Sequence, residues 1–498
     1  MRNSGGEGAL MIRRDKFLIG GQYVDPAGTE LLKVISPITE EVIGEVPLAT
    51  AADIDRAVAA ARHAFEEGPW PRMSIEERGD YLERMIGLLE LHIDEARDLQ
   101  IAEMGGPLKL YGPQTPAMLG PRIREAISVA KQATLQEVRQ GSYGKVVVSR
   151  TPLGVVGAII PWNTPVAALM IKMLPAMLAG TPIILKPAPE SPLSCYIIAD
   201  ALAQLGLPEG AVSIIPAGRE VGEHLVRHRG VDKISFTGST AAGRQIGMIC
   251  GEQIKPATLE LGGKSAAILL DDFDLRKTLP ILERNSLTNT GQICIATTRI
   301  LVSERRHDEL VDALVERVGK MKVGNPFEAD TDFGPLAAQR QRERVEAFIK
   351  AGRDAGAKVA LGGGRPDIAK GWYVEPTIFT GVENDMSIAR EEIFGPVLSI
   401  IRYKNEDEAI RIANASDYGL GGAIYSADIA RGLAVAAQVQ TGSCVINEGI
   451  PGGGGGPFGG IKQSGIGREQ GLEGLYNHYY LKSVTLPMGV EPILEAAE

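Results

Sequence analysis

Apolar positions recur at helical spacing over residues 52–66, where Ile54, Val58, Ala61 and Phe65 fall on one face. Residues 75–103 carry a second long helical pattern. From about residue 153 the texture changes, and short β-rich runs alternate with helical ones. VVGAII (155–160), PIILK (182–186), VSIIP (212–216) and DKISFTG (232–238) each lead into a helical stretch, as near 219–228 and from about 240. Strands separated by single helices imply right-handed βαβ crossovers and a parallel sheet. The pattern restarts after residue 263. SAAILL (265–270), RILVS (299–303) and VLSIIRY (397–403) read as strands, with helices predicted near 274–289, 307–320, 335–355 and 405–414. This predicts a second α/β domain, with its boundary near ELGGK (260–264). KVVVSRTP (145–152) and YNHYYLKSVTLP (476–487) alternate like edge strands. Exposed edges need something to pair with, so these two predict a subunit interface. There is no internal repeat, and the one low-complexity piece is PGGGGGPFGG (451–460), which reads as a loop.

The bulk properties narrow the class. The 498 residues are 44% hydrophobic and 23% charged, a composition of globular domains that bury large cores without disulfides or structural metal. The net charge of −10 argues against nucleic acid or an anionic membrane surface as a partner. Cys195, Cys250, Cys294 and Cys444 are far apart and form no CxxC pair, which fits a reducing compartment. The first residues lack the apolar core of a signal peptide, and Met11 is an alternative start to Met1. PVAALMIKMLPAMLAG, the longest apolar stretch, is interrupted by Lys172 and Pro175 and is too short to span a bilayer. The cytoplasm is the expected location.

Ligands of open α/β sheets bind beyond the C-terminal ends of the strands, and PWNTP, KPAPESP, FTGSTAAG and ELGGK all occupy such ends. FTGSTAAG sets Gly238 and Gly243 around a helix start, which suits a pyrophosphate or simply caps the helix. Lys186, at the end of an apolar strand, has the reach and charge for a ribose hydroxyl or a phosphate. Asn163 either caps the following helix or points an N–H donor into the cleft. Glu260, among apolar neighbours, is either a strand-end surface carboxylate or a general base of raised pKa. Cys294, in TGQICIATTR, is either a buried core thiol or a nucleophile. His224 and His228 have the i, i+4 spacing of metal ligands, but no third ligand is evident, so no metal is expected. No GxSxG elbow supports a serine triad.

Seven stretches, each weak alone, occur together in order: PWN (161–163), KP (186–187), FTGST (236–240), LELGGK (259–264), GQ-x-C (291–294), EEIFGPV (391–397) and PFGG-x-K-x-SG-x-G-RE (457–469). With these the chain resembles the NAD(P)-dependent aldehyde dehydrogenase superfamily from about residue 15 to 487. The resemblance implies an α/β fold with three parts. These are a Rossmann-type NAD(P)-binding domain (1–133 and 153–262), an α/β catalytic domain (263–470), and a small β oligomerisation element (134–152 and 471–498) that builds a homodimer or homotetramer. It implies Cys294 as nucleophile, Glu260 as the base that activates hydrolytic water, and Asn163 as an oxyanion donor. Cofactor contacts are implied for Ile160, Pro161, Trp162, Lys186, Gly218, Gly238, Ser239, Leu261, Glu392 and Phe394. NAD is the expected cofactor, with NADP possible. Many NAD-preferring relatives have a glutamate three residues after the lysine, where this chain has Pro189 and then Glu190.

Around the aldehyde entrance, NEGIPGGGGG (447–456) has one bulky apolar residue, Ile450, and Thr164, Met170 and Ile293 are expected to line the tunnel. This favours an uncharged aliphatic, terpenoid or aromatic aldehyde over a semialdehyde. The alternatives are a cysteine hydrolase without a redox step, a CoA-acylating dehydrogenase, and a binding protein that has lost catalysis. The cofactor motifs oppose the first. The presence of Glu260 opposes the second, and intact Cys294, Glu260 and Asn163 oppose the third.

Overall fold

The computed structural model describes residues 11–450 and 455–492; most of the glycine run and the Met1 start lie outside them. Of the five sheets among the described residues, three organise the chain. At the centre of the first are five parallel strands in the order Ala257–Glu260, Lys233–Thr237, Val156–Ile159, Ile183–Lys186 and Val212–Ile214. Helices cover both faces, so these strands are buried on both sides and read as continuous apolar runs rather than alternating ones. The strand earliest in sequence is central. Later strands are added first on one side of it and then on the other, so the order reverses between Val156–Ile159 and Lys233–Thr237. That reversal opens a crevice at the strand ends. The hairpin Phe17–Ile19 and Gln22–Val24, which the sequence pattern did not reveal, extends one edge. Gly465–Ile466 pairs antiparallel with the other edge, setting Gly465 opposite Glu260. A piece expected within the second α/β domain thus completes the first sheet beside a candidate catalytic residue.

The helix Pro165–Leu178 is apolar because it is buried almost all round. Its one charge, Lys172, is satisfied inside: Nζ donates to Glu469 Oε1 at 2.5 Å and to Ser235 Oγ at 3.0 Å. Among the described residues no helix is long and apolar enough to cross a membrane.

The second sheet has seven strands in the order Lys358–Leu361, Thr377–Thr380, Val397–Tyr403, Arg299–Ser303, Ala266–Leu269, Gly421–Tyr425 and Ser443–Ile446. All its neighbours are parallel except the first pair.

Three boundaries differ from the sequence pattern. The stretch 75–103 is two helices, Ile75–Glu90 and Ile93–Met104, broken at His92, whose backbone (φ −120°, ψ 15°) leaves the helical range. The helix expected from 335 begins at Gln339. The two expected edge strands pair with each other: Gly144–Pro152 is the middle strand of the third sheet, between Gln136–Gly141 and Tyr479–Thr485. Only the outer side of Tyr479–Thr485 is left as an open edge on that flank. Its apolar side chains are displayed to solvent, with Leu481 64% exposed.

Candidate active site

A cleft of about 840 Å³ runs along the C-terminal ends of the first sheet and is closed on its far side by the second α/β unit. Every residue assigned a catalytic or cofactor-binding role from the sequence lines it. Ile160, Pro161, Trp162 and Asn163 come from the turn after Val156–Ile159, and Lys186 ends the next strand. Gly218 precedes the helix Arg219–Arg227, while Gly238 and Ser239 precede the helix Thr240–Glu252. Glu260 and Leu261 end the last parallel strand, and Cys294, Glu392 and Phe394 arrive from the second unit.

The dinucleotide end is shaped for close approach. Ser239 caps its helix, its Oγ accepting from Ala242 N–H at 3.3 Å. The first turn of that helix faces the cleft with the N–H groups and dipole that favour a phosphate. A Cβ on Gly243 would lie 2.3 Å from the Leu261 side chain, so glycine is what lets helix and strand pack this tightly. The Lys186 ammonium donates to the carbonyls of Ala217 and Pro187 at 2.8 and 3.1 Å, which leaves one of its three donors for a ligand. Burial lowers its pKa to about 8, opposed by the nearby Glu190 charge. The Trp162 and Phe394 rings meet edge to face at 5.3 Å and form an aromatic wall. Phe394 holds a left-handed backbone (φ 63°), a strained conformation for a residue with a side chain.

Cys294 sits on a turn that is itself strained. Asn289, Thr290 and Gly291 are consecutive left-handed residues with φ of 52°, 56° and 73°. Gln292, fully buried, pins the turn: Ala337 N–H donates to its side-chain oxygen at 3.0 Å, and its own amide donates to the Asn289 carbonyl at 3.2 Å. The two glycines of ELGGK admit the chemistry, since a Cβ on Gly262 would lie 2.4 Å from the Glu392 carboxylate and one on Gly263 would lie 2.4 Å from the Cys294 carbonyl. Gly263 N–H in turn donates to Glu392 Oε1 at 3.0 Å.

The Asn163 side-chain N–H donates to the Gln292 carbonyl at 2.9 Å. It therefore reaches across to the cysteine turn instead of capping its own helix, with its second amide hydrogen free. Its backbone carbonyl accepts from Tyr111 Oη and Asn289 Nδ2, both at 3.2 Å.

Electrostatically, the site holds its protons tightly. Glu260 is 2% exposed, and among the described residues neither carboxylate oxygen has a hydrogen-bond partner. Burial, then the charge of Glu469, raise its pKa well above the carboxylate range, with Lys172 and Arg468 opposing. Burial raises Glu392 to about 7. Burial and the carboxylates of Glu392 and Glu260 push the Cys294 thiol up, against its own N–H and that of Ile295. Of the four cysteines, only Cys294 lines the cleft among the described residues.

Three expectations about neighbouring residues change. Met170 is fully buried and faces a separate small cavity between the helices Gly120–Ala130 and Pro165–Leu178. Thr164 and Ile293, expected to line the tunnel, are half-buried and do not line the cleft. His224 and His228 do have a third companion, Asp55, whose Oδ1 lies 2.6 Å from His224 Nε2 and 3.5 Å from His228 Nε2. However, Gly230 N–H donates to His228 Nδ1 at 2.9 Å. That places the ring proton on Nε2, facing Asp55, so the cluster is already a hydrogen-bonded contact between two helices.

Sequence reasoning missed Arg340, Gln341, Arg344 and Tyr418 on the cleft wall, because nothing local marks residues that fold in from a distant segment. It also missed Arg122, the cation beside the second cavity, which pairs with Glu125 at 2.8 Å.

Comparison with known proteins agrees with this geometry. Geranial dehydrogenase of Castellaniella defragrans is 41% identical over 96% of this chain and 100% of its own length. A 3-succinoylsemialdehyde-pyridine dehydrogenase from Pseudomonas sp. is 42% identical over 96% of this chain and 98% of its own. A crystal structure of Mycobacterium tuberculosis aldehyde dehydrogenase complexed with NAD+ superposes with a TM-score of 0.94 at 43% identity, covering 97% of this chain and 100% of that one. The model of the aldehyde dehydrogenase family matches residues 23–484, and the chain belongs to that family.

Proposed function

We propose that the chain oxidises an uncharged aldehyde to its carboxylic acid, with NAD as preferred hydride acceptor and NADP also admitted. One observation carries this reading: a thiol, an amide donor and an unpartnered buried carboxylate converge on a single dinucleotide-sized cleft. The fit to a dinucleotide rests on the glycine-lined helix starts and the spare Lys186 donor. Residues 1–133 and 153–262 then hold the cofactor, 263–470 supply the nucleophile, and the third sheet joins subunits of a homodimer or homotetramer through its open apolar edge.

Cys294 gives its thiol proton up to solvent and attacks the aldehyde carbon as the thiolate, and the carbonyl oxygen gains negative charge as the tetrahedral thiohemiacetal forms. The free Asn163 amide hydrogen and the Cys294 backbone N–H stabilise that oxyanion. When bound, NAD supplies the hydride acceptor and a positive charge that counters the two carboxylates holding the thiol protonated. Loss of hydride leaves a thioester on Cys294. Glu260 takes a proton from water, the hydroxide adds to the thioester carbon, and the acid leaves as the thiol is regenerated. Asn163→Ala is expected to lower kcat by about 10²–10³-fold, roughly 3–4 kcal/mol of lost oxyanion stabilisation. Steady-state kinetics check this, with circular dichroism to show an intact fold.

The uncharged substrate is supported by what surrounds the entrance. Ile450, in the segment expected to shape the entrance, is half-exposed, and the Arg122 guanidinium beside the second cavity is held by Glu125 and not free for a substrate carboxylate. The relative named for geranial points the same way, whereas the one named for a semialdehyde keeps that second class in the test. The test measures kcat/KM for geranial, benzaldehyde, octanal and succinate semialdehyde. Preference for the uncharged aldehydes is expected, and a strong preference for succinate semialdehyde would overturn the substrate assignment.

A further inference from the structure

Glu190 and Arg340 stand on opposite walls of the cleft. Glu190 lies four residues beyond Lys186, in the loop leaving the strand Ile183–Lys186; Arg340 is in the first turn of the helix Gln339–Asp354, in the second α/β unit. Arg340 Nη2 donates to Glu190 Oε1 at 2.6 Å, and both side chains line the cleft with Lys186, Pro189 and Arg219. The other carboxylate on this rim, Glu223, accepts from Arg227 Nε at 2.8 Å. A carboxylate is therefore present one residue after the position that proline occupies, but a guanidinium neutralises it.

The local balance is cationic. Lys186, Arg219 and Arg340, with Arg227 paired to Glu223, contribute four positive charges against the two negative charges of Glu190 and Glu223. The Arg340 side chain is 62% exposed and Glu190 21%, and an ion pair this open to water is weak. The planar guanidinium fork matches a phosphate better than it matches a single carboxylate oxygen. A dianion arriving at this corner therefore competes well for Arg340.

We propose that Arg340 is a specificity-determining residue of the cofactor cleft, paired with Glu190 when NAD is bound and engaging the 2′-phosphate when NADP is bound. The proposal rests on the dinucleotide reading of the cleft but not on the aldehyde chemistry. Its test is calorimetric titration of the full chain with adenosine 5′-monophosphate and with adenosine 2′,5′-bisphosphate, which needs no turnover. Arg340→Gln is expected to weaken the bisphosphate at least about tenfold through loss of the guanidinium contact. The monophosphate should change by less than about twofold, since only an exposed ion pair is lost. Glu190→Gln, which frees Arg340, is expected to tighten the bisphosphate. Equal weakening of both ligands in Arg340→Gln, or no effect on the bisphosphate, would overturn the proposal. Failure of the bisphosphate alone to bind the unsubstituted chain would overturn the proposal, and failure of both fragments would overturn the dinucleotide reading itself.

Discussion

Cys294→Ala is expected to reduce aldehyde oxidation by at least about 10⁴-fold, as removal of a covalent nucleophile does, while the dissociation constant for NAD stays within about twofold. The two halves of this prediction come from different parts of the site. The turn carrying Cys294 is pinned by the Gln292 amide and by Asn163 reaching its carbonyl, neither of which uses the sulfur. Loss of Sγ therefore leaves the strained turn in place. The cofactor side of the cleft is built from strand ends of the first sheet, and alanine does not disturb it. Reduced-nicotinamide absorbance measures the first half, and fluorescence titration of Trp162, which packs edge to face against Phe394 on the cleft wall, measures the second. Substantial turnover in the variant would refute the nucleophile assignment. Loss of both activity and binding would show that the turn, and not the thiol, was what mattered.

Glu260→Gln should separate the two halves of the reaction. The substitution is nearly isosteric, and the carboxylate it replaces has no hydrogen-bond partner to lose. The first turnover survives and appears as a burst of reduced cofactor. Steady-state turnover then slows by about 10²–10⁴-fold, the usual worth of a general base. The pH profile follows in sign. Glu260 works only when deprotonated, so turnover rises as pH climbs through its pKa and is lost below it. Burial and Glu469 hold that pKa well above the ordinary carboxylate range, so the acid limb lies at correspondingly higher pH. The limb should vanish in the glutamine variant. Normal steady-state turnover in Glu260→Gln would mean that another group activates the water.

The parallel sheets were legible because buried strands flanked by helices leave continuous apolar runs, as in VVGAII and PIILK. The residues of the cleft were legible because strand ends collect ligands and because seven short stretches fall in a family's order. What stayed hidden depends on tertiary contact. Gly465–Ile466 is too short to read as a strand, and it becomes one only against the edge beside Glu260. The stretches 145–152 and 476–487 each look like an edge, and only the fold shows that they pair with each other. Met170 has the apolar character of a tunnel residue, yet it turns into the helical core. Asp55 joins His224 and His228 from a helix roughly 170 residues away, a contact that no local spacing encodes. The same holds for Arg340, which only its 2.6 Å contact with Glu190 brings to notice.

Covalent oxidation at Cys294 is tested most directly by mass spectrometry of Glu260→Gln protein quenched after mixing with aldehyde. The account predicts an acyl adduct on the peptide containing Cys294, formed only when NAD or NADP is present. An adduct on another residue, or cofactor reduction with no adduct at all, would contradict it.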